Sequence, residues 1–386
     1  MISIAIIGVG NVSRLHIEGL SKFPERAKIV ALVDIFPQKA NEKKEAFGLS
    51  DAKVFASHQE ALASGIKIDL AHICTPPYVH ASIAIDCMNA GVNVLVEKPM
   101  AASVSECAAM LEAEKNNDVT MGVVAQNRFR DDVARLKELS SQKIAGKIRV
   151  LHINSLWWRG HCYYDLWWRG TWEKEGGGPT LNHAVHHIDM LNWIQGELPL
   201  EVTSVLANVM HDNSEVEDLS FAILKYADGS IAEITSSVVH HGEEQGVVIQ
   251  YENAKIATPF HCIAEQSMPN GFPEPNKALM TKIKMAYDAI PKLSYSGHTG
   301  QIEDMLSALE NKKRPAITGQ DGKMNVELIT AIYKAGFQKK TIVLPITPND
   351  EYYNFDGILK NAVRFYKKAK SLDGLEEQDI ISTGRY

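Results

Sequence analysis

Several large protein classes are excluded by what this sequence lacks. Its 386 residues hold only five cysteines (Cys74, Cys87, Cys107, Cys162 and Cys262), an odd number without any CxxC spacing. That excludes a disulfide framework and fits structural thiols in a reducing cytoplasm, which is the expected location. No apolar run approaches the roughly 20 residues that span a bilayer, so no membrane partner is expected. The opening Ile2-Ser3-Ile4-Ala5-Ile6-Ile7 follows neither a basic segment nor a small-residue cleavage site, so no signal peptide is expected. Positive charge is not in excess: the net charge of -7 argues against a nucleic-acid partner, whose phosphates demand a basic face. No low-complexity linker interrupts the chain. What remains is 45% hydrophobic and 23% charged, ordinary for a globular protein and long enough for two domains.

Two kinds of patterning divide the chain. Up to about residue 125, short continuous apolar runs (Ile4–Ile7, Ile29–Val33, Leu70–Ile73, Val92–Val96, Val119–Val124) alternate with helical patterns such as Tyr78–Asn89 and Ser103–Asn116. Continuous apolar strands between helices mean a parallel sheet covered on both faces, a doubly wound α/β arrangement. Beyond it, alternating strands near Lys147–Leu156, Glu201–Val209, Leu219–Tyr226, Ile231–Val239 and Val247–Tyr251 are joined by turns such as Ala227-Asp228-Gly229 and Glu252-Asn253-Ala254. These predict an open antiparallel sheet with helices, an α+β domain over 126–386, whose late helices (Gly300–Glu310, Asn325–Gln338) pack back toward the first domain, 1–125.

The first strand runs into Gly8-Val9-Gly10-Asn11-Val12-Ser13 and then a helical pattern. In that setting Gly8 allows a tight turn and Gly10 a close approach of a pyrophosphate. The helix opening at Asn11 and Val12 points free N–H groups at that charge, and Ser13 keeps helix and strand close. Asp34 ends the second strand, where a carboxylate accepts ribose hydroxyls and repels a 2′-phosphate, so NAD is favoured over NADP. Two alternatives stay open: Asp34 as a cap for a helix at Pro37, and NADP held with the help of Lys39 or Lys43.

Further segments carry a resemblance. Cys74-Thr75-Pro76-Pro77 with His80 precedes Glu97-Lys98-Pro99, and Gly176-Gly177-Gly178 precedes Asn182, His186 and Asp189. In this order the motifs resemble the glucose-fructose oxidoreductase / inositol dehydrogenase (Gfo/Idh/MocA) family. The resemblance implies a Rossmann domain plus an open antiparallel sheet with NAD(P) lying between them, and substrates among sugars, sugar acids, cyclitols and nucleotide sugars. It further implies that Thr75, Pro76 and His80 line the nicotinamide-ribose side. Glu97 and Lys98 sit beside the nicotinamide, and His186 is the catalytic or substrate-orienting histidine. One position departs from the pattern: many members carry aspartate where this chain has Asn182, and an amide cannot take the proton of an Asp/His relay.

Lys98 stands just past the C-terminal end of a strand, where open parallel sheets bind ligands; there it can remove the hydroxyl proton while hydride leaves. Pro179–Gln195 reads as one helix with Asn182, His186 and Asp189 on one face, able to present hydrogen-bonding groups to a sugar diol. His183 and His187 also stand four apart, but the glutamate of HExxH is missing and no metal is expected. Five of the six tryptophans (Trp157, Trp158, Trp167, Trp168, Trp172) fall within sixteen residues, with Tyr163, Tyr164, Arg159 and Arg169 among them. Such rings stack on pyranose faces and such arginines hold carboxylates or phosphates; Tyr163, Trp168 and Arg169 are the expected substrate contacts. A loop over a pocket and a domain or subunit interface both fit this cluster. Asn127 and Arg128 are weaker candidates.

Three functions fit: a dehydrogenase of a sugar or cyclitol secondary hydroxyl, a sugar lyase or glycosidase that retains NAD and acts through a transient keto-sugar, and a non-catalytic NAD-dependent regulator. A homodimer or homotetramer is the expected assembly.

Overall fold

A computed structural model describes residues 1–368; residues 369–386, which the second expected domain includes, lie outside the described part. The chain divides into two compact units, one formed by Met1–Phe129 with Leu293–Val326 and the other by Arg130–Lys292 with the chain from Glu327 onward.

In the first unit, strands and helices alternate in the order β1 (Ile2–Ile7), α1 (Asn11–Leu20), β2 (Ala27–Val33), α2 (Pro37–Ala46), β3 (Lys53–Phe55), α3 (His58–Ala63), β4 (Leu70–Ile73), α4 (His80–Asn89), β5 (Asn93–Val96), α5 (Val104–Asn116) and β6 (Met121–Val123). The strands form one parallel sheet, β3-β2-β1-β4-β5-β6, the order of a dinucleotide-binding fold. All four residues of β4 and the last four of β1 are buried, as continuous apolar runs require. Local signals set the helix starts: Ser103 accepts the Glu106 N–H, and the Glu106 carboxylate reaches back to Ala102 N–H.

The second unit contains α6 (Asp131–Ser141), β7 (Ile148–Leu156), α7 (Pro179–Asn182), α8 (Val185–Gln195), β8 (Glu201–Ala207), β9 (Leu219–Lys225), β10 (Ile231–Ser237), β11 (Gln245–Tyr251), β12 (Lys255–Ala257), β13 (His261–Ile263), the hairpin β14 (Glu265–Ser267) and β15 (Pro273–Pro275), and α9 (Lys277–Ala289). Helix α10 (Gly297–Glu310) belongs to the first unit, and α11 (Gly319–Gln338) begins in the first and ends in the second. Strand β16 (Ile342–Val343) and α12 (Phe355–Asn361) complete the second.

Within the first unit α10 lies against α1: a Cβ on Gly19 would stand 2.6 Å from Ile302 Cδ1, so the glycine admits that side chain. In the second unit the eight-stranded order is β13-β12-β11-β7-β10-β9-β8-β16. Most pairs are antiparallel, but β7 and β10 run parallel, which corrects the expectation of an antiparallel sheet. Alternation in single strands reports burial, not partner direction, and the long excursion between β7 and β10 supplies the crossover a parallel pair needs. One face of the sheet is covered by α8 and the end of α11; the other alternation leaves Val205, Phe221, Ile223, Ile231 and Val343 exposed. The short strands β3, β12, β13 and β16 have too few residues to show a period, and the sequence reading missed them. Among the described residues, no helix is long and apolar enough to cross a membrane.

Candidate functional site

In the first unit the expected cofactor residues gather at the C-terminal ends of β1, β2, β4 and β5. Gly8 has φ +88°, and a Cβ there would stand 2.8 Å from the Cys74 carbonyl carbon, so the loops after β1 and β4 pass in backbone contact. Gly10 is the opposite case: a Cβ there meets nothing within 4 Å. It opens α1, whose first-turn amides receive no side-chain cap. Asn11 is exposed and Val12 half-buried, while Ser13 is buried and ties its hydroxyl to Gly10 O at 2.7 Å. Asp34 accepts Val9 N–H at 3.0 Å and Phe36 N–H at 2.9 Å, which aims its carboxylate along the glycine turn. Of the two nearby lysines, Lys39 stacks on Phe36 and Lys43 on Phe47.

Thr75 Oγ1 is buried without a hydrogen-bond partner among the described residues, and Pro76 beside it is exposed. His80 differs from the expectation of a ribose-lining residue. Its ring is fully buried, with Nδ1 on Pro99 O at 2.9 Å and Nε2 on Thr75 O at 2.7 Å. It acts by tying the Thr75 loop to the turn that carries Lys98. Lys98 itself is half-buried at the end of β5.

Glu97 anchors a cluster the sequence reading missed. Its Oε1 accepts from His16 Nε2 at 3.0 Å and from His298 Nε2 at 3.3 Å, and its Oε2 accepts Lys98 N–H at 3.1 Å. His16 Nδ1 in turn meets His72 Nδ1 at 2.9 Å. Burial alone would raise the Glu97 pKa, but the two imidazole donors outweigh it and hold the carboxyl well below its ordinary range. Burial pushes His16 and His72 the other way, toward the neutral ring. Hydrogen-bond demand then assigns the tautomers: His72 donates from Nδ1 to His16, and His16 donates from Nε2 to Glu97. His16, Glu97 and His298 are also close enough to hold a metal ion. A metal on His16 Nε2 would reverse the chain and leave an N–H on His72 Nε2, a buried atom without a partner among the described residues, so hydrogen bonding accounts better for the arrangement.

In the second unit the expected helix Pro179–Gln195 is broken into α7 and α8. Ala184 N–H bonds Pro179 O at 2.7 Å, one residue wider than an α-helical bond, and α8 starts afresh at Val185. From Gly177 through Asn192 every residue is buried except Asn182 and His186. Asp189 is inside. His183 packs beside Trp157 and Tyr163, ring centroids 5.4 and 6.1 Å away, and burial pushes His187 down to about 3. Asn182 Nδ2 donates to Gly177 O at 2.9 Å, joining it to the triple-glycine turn.

The aromatic stretch separates into three roles. Trp157 and Trp172 are core, the latter packed on Tyr333 and Phe337. Trp158 and Trp167 are exposed. Tyr163 and Trp168 each hold their ring 4.2 Å from the Arg169 guanidinium, which donates to Glu175 at 2.9 Å. With two rings packed against it and Glu175 paired to it, Arg169 holds this segment together. Arg128 pairs with Asp321 inside the first unit.

These features fit NAD. An open Gly10 beside uncapped helix amides suits a pyrophosphate, Asp34 suits a ribose diol, and the buried Thr75 hydroxyl lacks the partner a ligand would give it. Comparison with known proteins agrees. Residues 2–125 match the oxidoreductase family with NAD-binding Rossmann fold, and residues 133–257 match the GFO/IDH/MocA C-terminal domain. A myo-inositol 2-dehydrogenase of Thermotoga maritima is 24% identical over 345 residues, covering 88% of this chain and 98% of the relative. A 2,7-anhydro-N-acetylneuraminate hydratase of Mediterraneibacter gnavus is 27% identical over 251 residues, 64% of each chain. Among solved structures, the WlbA dehydrogenase of Bordetella pertussis, in complex with NADH and UDP-GlcNAcA, is 26% identical with a TM-score of 0.75, covering 90% of this chain and 99% of its own. The chain belongs to the GFO/IDH/MocA family and is an NAD-dependent oxidoreductase.

Proposed function

We propose that the protein oxidises a secondary hydroxyl of a sugar, sugar derivative or cyclitol. The carrying observation is the burial pattern after the triple-glycine turn, where Asn182 and His186 alone reach outward over sixteen positions. Groups that can both donate and accept, one turn apart, suit a vicinal diol. Bound NAD supplies the hydride acceptor. Lys98 is the proton acceptor in this reading: Glu97 keeps its backbone fixed, while Asn182 has no proton-accepting nitrogen to offer. His186 orients the substrate. Relatives named inositol dehydrogenase and a homologous dehydrogenase crystallised with a nucleotide sugar support the substrate class.

The test is a panel of cyclitols, sugars and nucleotide-linked sugars with NAD, read by NADH absorbance. NADH should accumulate with at least one, and Lys98→Met should lower turnover by at least about 100-fold while leaving NAD binding in place. Product without net NADH would instead support the retained-NAD reading. Full function in Lys98→Met would support a regulator.

The location we infer is the cytoplasm, supported by five cysteines that are all free thiols. The assembly we infer is a homo-oligomer through the open sheet face. There Val205 stands opposite Phe221 on neighbouring strands, with Ile223 next along β9, an apolar patch that a second copy of this chain would cover. Light scattering should give a dimer or tetramer, and Phe221→Glu should give monomer; a monomeric wild type would overturn it.

A further inference from the structure

Beneath the triple-glycine turn lies a wholly buried carboxylate, Glu217, on which three donors converge. Gly178 N–H reaches Oε2 at 3.2 Å, Thr180 N–H reaches Oε1 at 3.1 Å, and the Tyr333 hydroxyl donates to Oε1 at 3.0 Å. These same two residues explain why the turn is made of glycine. A Cβ on Gly177 would stand 2.1 Å from Tyr333 Oη, and one on Gly178 only 1.9 Å from the Glu217 carbonyl oxygen. Glu217 and Tyr333 therefore form the mould, and the glycine backbone is pressed into it. Asn182 is attached to the moulded turn through Gly177 O.

We propose that Glu217 is a positioning residue for the substrate helix: its ionised carboxylate holds the triple-glycine turn, and thereby Asn182, and uptake of a proton releases them. This rests on reading Asn182 and His186 as substrate contacts. A protonated carboxyl brings a hydrogen of its own into a place where three donors already point, so the bonds from Gly178 and Thr180 lose their charged acceptor and the one with Tyr333 is lost or reversed. Burial raises Glu217 to about 7, against the opposing pull of its donors, which sets the transition in the neutral range. The groups facing it are these: Thr180 and Ser220 pair their hydroxyls at 2.7 Å, burial and the Glu217 charge keep Tyr333 protonated, burial keeps Tyr164 protonated, Asp218 pairs with His211 at 2.9 Å, and Glu175, which accepts from Arg169, is itself raised by burial, so an infrared band is assigned to Glu217 by its loss in Glu217→Gln.

The experiment reads the carboxyl directly, in free protein, by infrared difference spectra of glutamate-labelled wild type against Glu217→Gln. A carboxylic-acid band belonging to Glu217 should appear as pH falls through about 7. Emission of buried Trp172, whose ring meets Tyr333 edge-on at 5.0 Å, should change over the same range. In turnover, the acid limb of kcat/KM should follow it. Tyr333→Phe, which removes one donor to the carboxylate, should move both the band and the limb up by about one pH unit. Glu217→Gln should remove the part of the limb that follows the band, leave the part set by Lys98, and lower kcat/KM about 10-fold or more. A Glu217 that stays ionised down to pH about 5, or a limb unmoved in Tyr333→Phe, overturns the proposal while the substrate-helix reading stands. Unaltered kcat/KM in Asn182→Ala would overturn that reading, with the titration intact.

Discussion

His16 Nε2 lies 3.0 Å from Glu97 Oε1, joining residues 81 positions apart in sequence. One belongs to the helix that opens at the glycine turn, the other immediately precedes Lys98. The bond therefore fixes the register between the two halves of the cofactor cradle within the first unit. Both groups are almost entirely buried, so it is screened little by solvent.

Glu97→Gln should cost about 1–3 kcal/mol at neutral pH, because one of the converging donors then faces an amide N–H. The acid response gives a sharper check. The native pKa of Glu97 is depressed, so its contribution is fully present above the ordinary carboxylate value of 4.5 and is lost as pH falls through the lower native value. Urea unfolding of the wild type should thus steepen below about pH 4.5, and that of Glu97→Gln should steepen less.

His187 acts in a different window. Its pKa is about 3 in the fold against an ordinary 6.5, so the neutral ring's contribution is complete above 6.5 and declines from there down to about 3. Stability should fall by up to about 1.4 kcal/mol per pH unit across that interval. His187→Leu should flatten the slope there and leave the Glu97 limb in place. An unchanged slope would mean that His187 is protonated in the native state.

Gly8 and Gly10 should respond oppositely to alanine. At Gly8 a side chain meets both a left-handed φ and the Cys74 backbone, so Gly8→Ala should lose about 1–3 kcal/mol or more of stability. At Gly10 the space is open, so Gly10→Ala should melt with the wild type yet bind NAD about 10-fold or more weakly, as measured by calorimetry. Wild-type affinity in Gly10→Ala would place the pyrophosphate elsewhere.

Arg169→Ala should destabilise by about 3–5 kcal/mol, since it leaves Glu175 buried without its counter-charge. Adding Glu175→Gln should recover part of that loss in chemical denaturation. Arg169→Lys should remain clearly impaired, because an ammonium lacks the planar, delocalised face that packs on Tyr163 and Trp168.

The strand-end motifs were legible because each is local. Gly8 and Gly10 follow an apolar run at a spacing that only a strand-turn-helix satisfies, and Asp34 and Lys98 close strands whose apolar character is visible residue by residue. Asn182 and His186, proposed above as substrate contacts, were singled out from an equally local spacing after the triple glycine. The break between α7 and α8 was not, because its widened Ala184–Pro179 bond interrupts a sequence whose helical pattern runs through. The aromatic stretch was legible only as a cluster: ring content says nothing about which rings face inward, and Trp172 is core while Trp158 is exposed.

From the sequence alone came the change of strand period near residue 125, the parallel sheet before it and the strand-turn-helix setting of the glycine turn, all set by spacing along the chain; that 293–326 return to the first unit, rather than belonging to a domain over 126–386, was decided by the fold. Only the tertiary structure decided that His16, His72 and His298 serve Glu97, that Glu217 and Tyr333 shape the glycine turn, and that β7 lies parallel to β10. These are pairings between residues far apart in sequence, and a buried polar group's choice of partner depends on which groups the fold brings within about 3 Å, a distance that no local pattern encodes.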